Sequence, residues 1–157
     1  MPKLRFLWVG RTREADLTRG IERYLKRLQH YADVAVESAP EAPGISGKRP
    51  ADAARHEGKE LLQRLAPRGH HLGLDPEGDA LTSEGFARAL ESSLTAGGGH
   101  VQFVLGGPSG LSAEVRERME RRISLSPMTL THEMARLFLV EQVYRAFTIL
   151  RGGPYHR

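Results

Sequence analysis

The sequence has no cysteine. That excludes a disulfide scaffold, a cysteine-ligated zinc site and a cysteine nucleophile, and it fits a reducing, cytoplasmic setting. Long apolar runs are also missing. The longest, Leu137–Val140, falls far short of the roughly 18 residues of a membrane span. The run Phe6–Val9 is too short for a secretory signal, so no membrane partner is expected. There is no internal repeat, no low-complexity tract and no linker long enough to divide domains, so residues 1–157 read as one domain. Clustered metal ligands are lacking too. His70 and His71 are neighbours on a stretch read as strand and point to opposite faces, so no metal is expected.

What is present is a soluble chain long enough to bury a core. The apolar fraction is 39% and the charged fraction 27%, ordinary values for a globular protein. Net charge is +4, mostly from arginine. The planar guanidinium grips pairs of oxygens, so this balance suits phosphate or nucleic acid as well as simple solubility.

Short apolar runs alternate with longer amphipathic ones. Strands are expected at Leu4–Val9, Val34–Glu37, His70–Leu74, Val101–Leu105 and Ile123–Ser126. Helices are expected at Leu17–Tyr31 with Asp16 as N-cap, Ala51–Leu65, Thr82 or Ser83 to about Thr95, Ser112–Arg122, and Thr131 to about Leu150. Pro40–Pro50 is rich in Pro and Gly and reads as loop. The alternation predicts an α/β domain, a mostly parallel sheet with helices on both faces. Ligands of such sheets bind beyond the C-terminal strand ends.

Three loops stand there. Asp75–Asp79 is turn chemistry, with the backbone near Leu74 placed to face a ligand. Gly106–Gly110 lets a ligand approach the backbone or simply makes a turn. It is neither a Walker loop nor a dinucleotide fingerprint. Leu125–Leu130 contains Pro127, which has no N–H and leaves backbone groups for an adenine-like edge, or serves only as a connector.

The last helix is apolar almost all round, with Glu133, Arg136, Glu141, Arg145 and Thr148 over half the circumference. It must be buried on more than one side, and a second subunit is the expected cover, giving a homodimer. Glu141 and Arg145 are spaced for an ion pair within the helix. Beyond Gly152–Gly153, the tail Pro154-Tyr155-His156-Arg157 either frays or stacks on a base and contacts phosphate. Arg19, Arg23, Lys26 and Arg27 share one helix face, which is either a solvated surface or an RNA contact.

Several segments carry a family resemblance in order and spacing. They are Met-Pro-Lys-Leu-Arg-Phe-Leu-Trp-Val-Gly-Arg-Thr at residues 1–12, Phe-Val-Leu-Gly-Gly-Pro-Ser-Gly-Leu at 103–111, Ser-Leu-Ser-Pro-Met-Thr-Leu-Thr-His at 124–132, Glu141–Arg151, and the terminal Pro-Tyr-His-Arg. Together they resemble the RlmH family of SPOUT methyltransferases, which methylate N3 of a pseudouridine in 23S ribosomal RNA. The resemblance implies a deep C-terminal trefoil knot, with knot and cofactor site in about residues 70–157. It implies S-adenosyl-L-methionine as cofactor, held at Leu74, Gly106, Leu125, Ser126, Pro127, Met128, Thr129 and Leu130, and the ribosome as partner. For the proton on N3, His132 and His156 are the candidate bases. His132 stands at a helix start, where the dipole favours neutral imidazole. Arg136, Tyr155 and Arg157 are candidates for positioning the nucleotide.

Overall fold

The computed structural model describes residues 1–44 and 49–157. Of the Pro40–Pro50 loop, residues 45–48 therefore lie outside the described residues. In chain order the elements are β1 (Lys3–Val9), α1 (Ala15–Leu28), β2 (Asp33–Ala39), α2 (Pro50–Gln63), β3 (His70–Ala80), α3 (Ser83–Ala96), β4 (His100–Leu105), α4 (Ala113–Arg118), β5 (Arg121–Ser124) and α5 (His132–Leu150).

The strands form one sheet in the order β2-β1-β4-β3-β5. Every neighbouring pair is parallel, so all C-terminal strand ends lie along one edge. Alternate residues serve opposite faces. Leu4, Phe6, Trp8, Leu72 and Phe103 pack with α1, α3 and α5. Leu7, Val9 and Val104 pack with Leu61 of α2 and Val115 of α4. Helices on both faces are as expected.

Three helix starts agree with the sequence. The Thr82 hydroxyl accepts the Gly85 N–H (3.0 Å), Ser112 accepts Val115 N–H (3.3 Å), and Thr131 accepts Met134 N–H (3.1 Å). The first helix differs. Glu14, not Asp16, holds its N-cap position and makes no side-chain cap. Instead, Glu133 on α5 accepts the N–H groups of Arg13 (2.9 Å) and Glu14 (3.1 Å). A capping rule that looks only along the chain misses a carboxylate from a distant helix.

Two boundaries move furthest. The helix expected to reach Arg122 stops at Arg118, because Arg121–Ser124 pair with β3; sheet pairing overrides helix propensity there. Strand β3, expected to end at Leu74, runs to Ala80 across an irregularity in which Leu74 and Asp79 both register with Ile123. Residues between them bulge out of the ladder.

Part of the cover of α5 was not anticipated. Much of it comes from the same chain, since α5 lies between α1 and α3 and packs on both. Arg136 and Thr148 of the polar set are buried. Met134, 40% exposed, borders an apolar groove of about 400 Å³ along α5 with Leu137 and Phe138.

The bulge has a strict steric requirement. A Cβ on Gly78 would stand 2.6–2.7 Å from the backbone of Arg122 and Ile123. Backbone cannot swing aside as a flexible side chain can. Gly78→Ala is therefore expected to cost about 1–3 kcal/mol, the range for overpacking, measured by urea unfolding against Gly153→Ala, whose Cβ would meet only ordinary contacts, as a control for lost glycine.

Candidate functional site

Parallel pairing brings the Asp75–Asp79 bulge of β3 and the loops after β4 and β5 to one edge of the sheet. Leu74 pairs with Leu105, so Gly106 begins its loop beside the start of the β3 bulge. After β5 the chain turns sharply. The Ser124 hydroxyl donates to the Ser126 carbonyl (3.2 Å), and the Ser126 hydroxyl accepts the Met128 N–H (2.9 Å). Pro127 sits in this turn without a donor of its own.

The result is a slot of about 160 Å³ lined by Leu74, Asp75, Pro76, Ser124 to Leu130, and Ala135. Its lining residues are mostly apolar. Leu74 and the whole run Leu125–Leu130, singled out in the sequence, thus meet in one place.

Gly106 does not line this slot. Its Cβ would stand 2.5 Å from the Gly110 carbonyl group, and the Gly110 N–H donates to Gly107 O (3.0 Å). The glycine is required by the closure of its own loop, whatever approaches from outside.

His132 opens α5 and is half-buried. Burial, then the nearby Arg136 charge, hold its imidazole below the usual value, against the pull of Glu133, Glu41 and Glu57. Arg136 is fully buried. Its guanidinium donates to Thr12 Oγ1 (2.9 Å) and to the Val9 carbonyl, and lies 5.0 Å from the centre of the Trp8 ring. Burial pushes it down to about 10, still cationic at neutral pH. It ties α5 to the end of β1 and faces no solvent from which a phosphate could come.

The tail does not fray. Arg151 ends α5, Gly152 takes φ +71, and the Gly152 and Gly153 N–H groups return to Ile149 O and Thr148 O. This is a Schellman stop. It turns the tail back over α5. Tyr155 donates to Glu141 (2.7 Å), contacts the Tyr24 hydroxyl (3.2 Å) and packs edge-on against Tyr144. Burial, then Tyr24 and Glu141, raise its phenol well above the ordinary range. His156 bridges Arg145 (3.0 Å) and Glu84 (2.7 Å). The Glu141–Arg145 pair (2.8 Å) exists as expected and is also the base of this network. Arg157 is exposed, as are Arg19 and Arg23 on α1; Arg19 pairs with Asp16.

Two buried acids escaped the sequence reading. The Asp75 side chain is 3% exposed. Adjacent Pro and Gly made it look like ordinary turn chemistry. Glu57 is also buried, accepting the Ala42 N–H (3.0 Å). A signal for it was available, since it shares the α2 stripe with Ala53, Ala54 and Leu61.

The family described as "Predicted SPOUT methyltransferase" matches residues 2–156. A protein of Anaeromyxobacter sp. (strain Fw109-5), named ribosomal RNA large subunit methyltransferase H, is 44% identical over 155 residues, covering 99% of each chain. One of the same name from Geobacter sulfurreducens is 42% identical, covering 98% of this chain and 99% of its own. Among solved structures, a "probable methyltransferase" from Bordetella pertussis Tohama I aligns with a TM-score of 0.52 at 18% identity, covering 92% of this chain and 96% of that one. At that identity the likeness concerns the fold.

The tail network yields a direct expectation. Glu141→Gln removes the charge on which Tyr155 and Arg145 converge, and a hydrogen bond to a charged group contributes about 1.5–3 kcal/mol. Release of the tail by the lower figure corresponds to roughly tenfold faster trimming of residues 154–157 by carboxypeptidase, with the thermal transition of the domain still cooperative.

Proposed function

The chain belongs to the SPOUT methyltransferase family, and from that premise we propose that it methylates N3 of a pseudouridine in 23S large-subunit ribosomal RNA, using S-adenosyl-L-methionine and acting on the assembled ribosome. The observation that carries this reading is the meeting of Leu74 with Leu125–Leu130 in one slot, in a chain 44% identical end to end to a ribosomal RNA methyltransferase.

The residues present fit the cofactor. Leu74, Leu125, Pro127 and Leu130 offer apolar walls to a flat purine, and the main chain of the same segment offers hydrogen-bonding groups to its edge. The 160 Å³ slot is below the roughly 300 Å³ at which pockets for whole drug-sized ligands begin, so it encloses part of such a molecule. When bound, the cofactor supplies an electrophilic methyl group; the protein's task is alignment.

His132 is the proposed acceptor of the N3 proton. It adjoins the slot segment and is held neutral by burial and Arg136. His156 is the second candidate, since its ring is already oriented between Arg145 and Glu84. Tyr155, Arg157, Arg19 and Arg23 form the proposed RNA contacts. Arg136 serves the framework, as its burial dictates.

A second copy is proposed to cover the groove at Met134, Leu137 and Phe138, making a homodimer that reads RNA over a composite surface. The C-terminal trefoil knot is proposed on family membership, and the return of α5 from the β5 edge to α1 is compatible with it.

Calorimetric titration with S-adenosyl-L-methionine and its demethylated product tests the site. Saturable binding by the wild type, lost in a folded Thr129→Trp variant that fills the slot, is expected; absence of wild-type binding refutes the reading. For the base, the sign follows from the lowered His132 value: the folded protein binds that proton less readily than free imidazole. The acidic limb of single-turnover methylation should therefore lie below pH 6.5, and His132→Gln should abolish it. A limb retained in His132→Gln and lost in His156→Gln reverses the assignment. Phe138→Glu is expected to yield monomers by light scattering.

A further inference from the structure

Asp75 sits where three segments of the site must be held together. Its Oδ2 accepts from Arg122 Nη1 on β5 (3.0 Å), and Arg116 Nε on α4 stands 3.4 Å from the same oxygen, as an ion pair. Its Oδ1 accepts the Glu77 N–H (3.0 Å) and closes the turn inside the β3 bulge. Each partner belongs to a different segment of the chain. The bulge follows Leu74. Arg122 immediately precedes Ile123, Ser124 and the run Leu125–Leu130. Arg116 belongs to the helix that follows the Gly106–Gly110 loop. Strand alternation turns Asp75 toward α4, on the side where Gly73 meets Met119, and the residue also lines the slot.

A carboxylate this deeply buried requires charged partners. Two guanidiniums, from two elements, meet that requirement only if both elements stay in place. We propose that Asp75 is a positioning residue for the cofactor site: by binding Arg122 and Arg116 and closing the bulge, it fixes the relative placement of the main chain at Leu74 and at Leu125–Leu130. The inference rests on the reading of the slot as a cofactor site. A ligand recognised by main-chain groups cannot be followed by side-chain rotation. Its affinity depends on the spacing of two backbone segments, and this ion triad sets that spacing.

Asp75→Asn keeps the shape and removes the charge. In the folded variant, checked by its thermal transition, binding of both S-adenosyl-L-methionine and the demethylated product is expected to weaken roughly tenfold or more, the scale of small misplacements at a site. Hydrogen exchange without any ligand should quicken at residues 74–79 and 125–130 and stay unchanged in α1 and α2. Arg122→Lys, which retains an ion pair, should bind within about threefold of wild type. A purely structural role lowers the melting temperature while leaving affinity and local exchange unmoved at temperatures where the variant is folded; that result overturns the proposal. If the Asn variant does not fold, Arg122→Gln and Arg116→Gln, each leaving one guanidinium, replace it, and wild-type affinity in both overturns the proposal equally. A wild type that binds no cofactor sinks the reading of the slot, whereas an Asp75→Asn protein that binds like wild type sinks only the clamp.

Discussion

The buried guanidinium of Arg136 is the interaction on which the architecture leans. Among the described residues it has no carboxylate in hydrogen-bonding contact; it reaches the Val9 carbonyl and the Thr12 hydroxyl and lies against the Trp8 ring. Burying a charge this way is costly unless its partners are fixed, and all three belong to β1 and the turn after it. The charge thereby couples the last helix to the first strand. Glu133 adds to the coupling by capping the start of α1 from the same turn of α5. The segment that closes the chain is thus fastened at its beginning to the segment that opened it. The slot lies immediately before that fastening, at Leu125–Leu130, so its position relative to the sheet follows from the anchored helix.

The site divides its labour. The slot is lined mostly by apolar residues, while its charged groups are Asp75 in the wall, tied to Arg116 and Arg122 behind it, and His132 just beyond the run Leu125–Leu130. That division suits a ligand whose reactive group needs alignment more than chemical activation. The proposed RNA side is different in kind. Exposed arginines on α1 and the tail carry it, and their contribution is electrostatic and screened by salt.

The sequence made the sheet and most helices legible, because parallel strands buried on both faces are short apolar runs and because Thr82, Ser112 and Thr131 announce the helices they cap. What escaped it depends on partners remote in the chain. Strand β3 continues past Leu74 only because β5 lies alongside, and α4 stops early for the same reason. Arg136 looked like a polar residue free to reach a nucleotide; packing against Trp8 makes it framework. Asp75 looked like a turn residue, since nothing nearby in sequence shows the two arginines that bury it. Gly106 was singled out for the close approach of a ligand, whereas the structure requires the glycine for closure of its own loop onto Gly110, which is invisible in composition.

The tail shows how a terminus can be ordered and still serve a surface. Its glycines end α5 in a Schellman stop, and that geometry sends Tyr155 and His156 back onto the outer face of α5. Glu141 and Arg145, which a sequence reading pairs only with each other, become the seat for both residues. The same face carries the apolar groove at Leu137 and Phe138. Any copy of the chain that covered this groove would meet the tail at its margin, so subunit contact and tail placement would draw on one set of α5 side chains. The mixed character of α5, apolar all round with charges interspersed, is then accounted for. One side packs on the sheet, its flanks meet α1 and α3, and its outer side offers apolar contact and a polar seat together. A helix with these duties cannot show a single hydrophobic stripe.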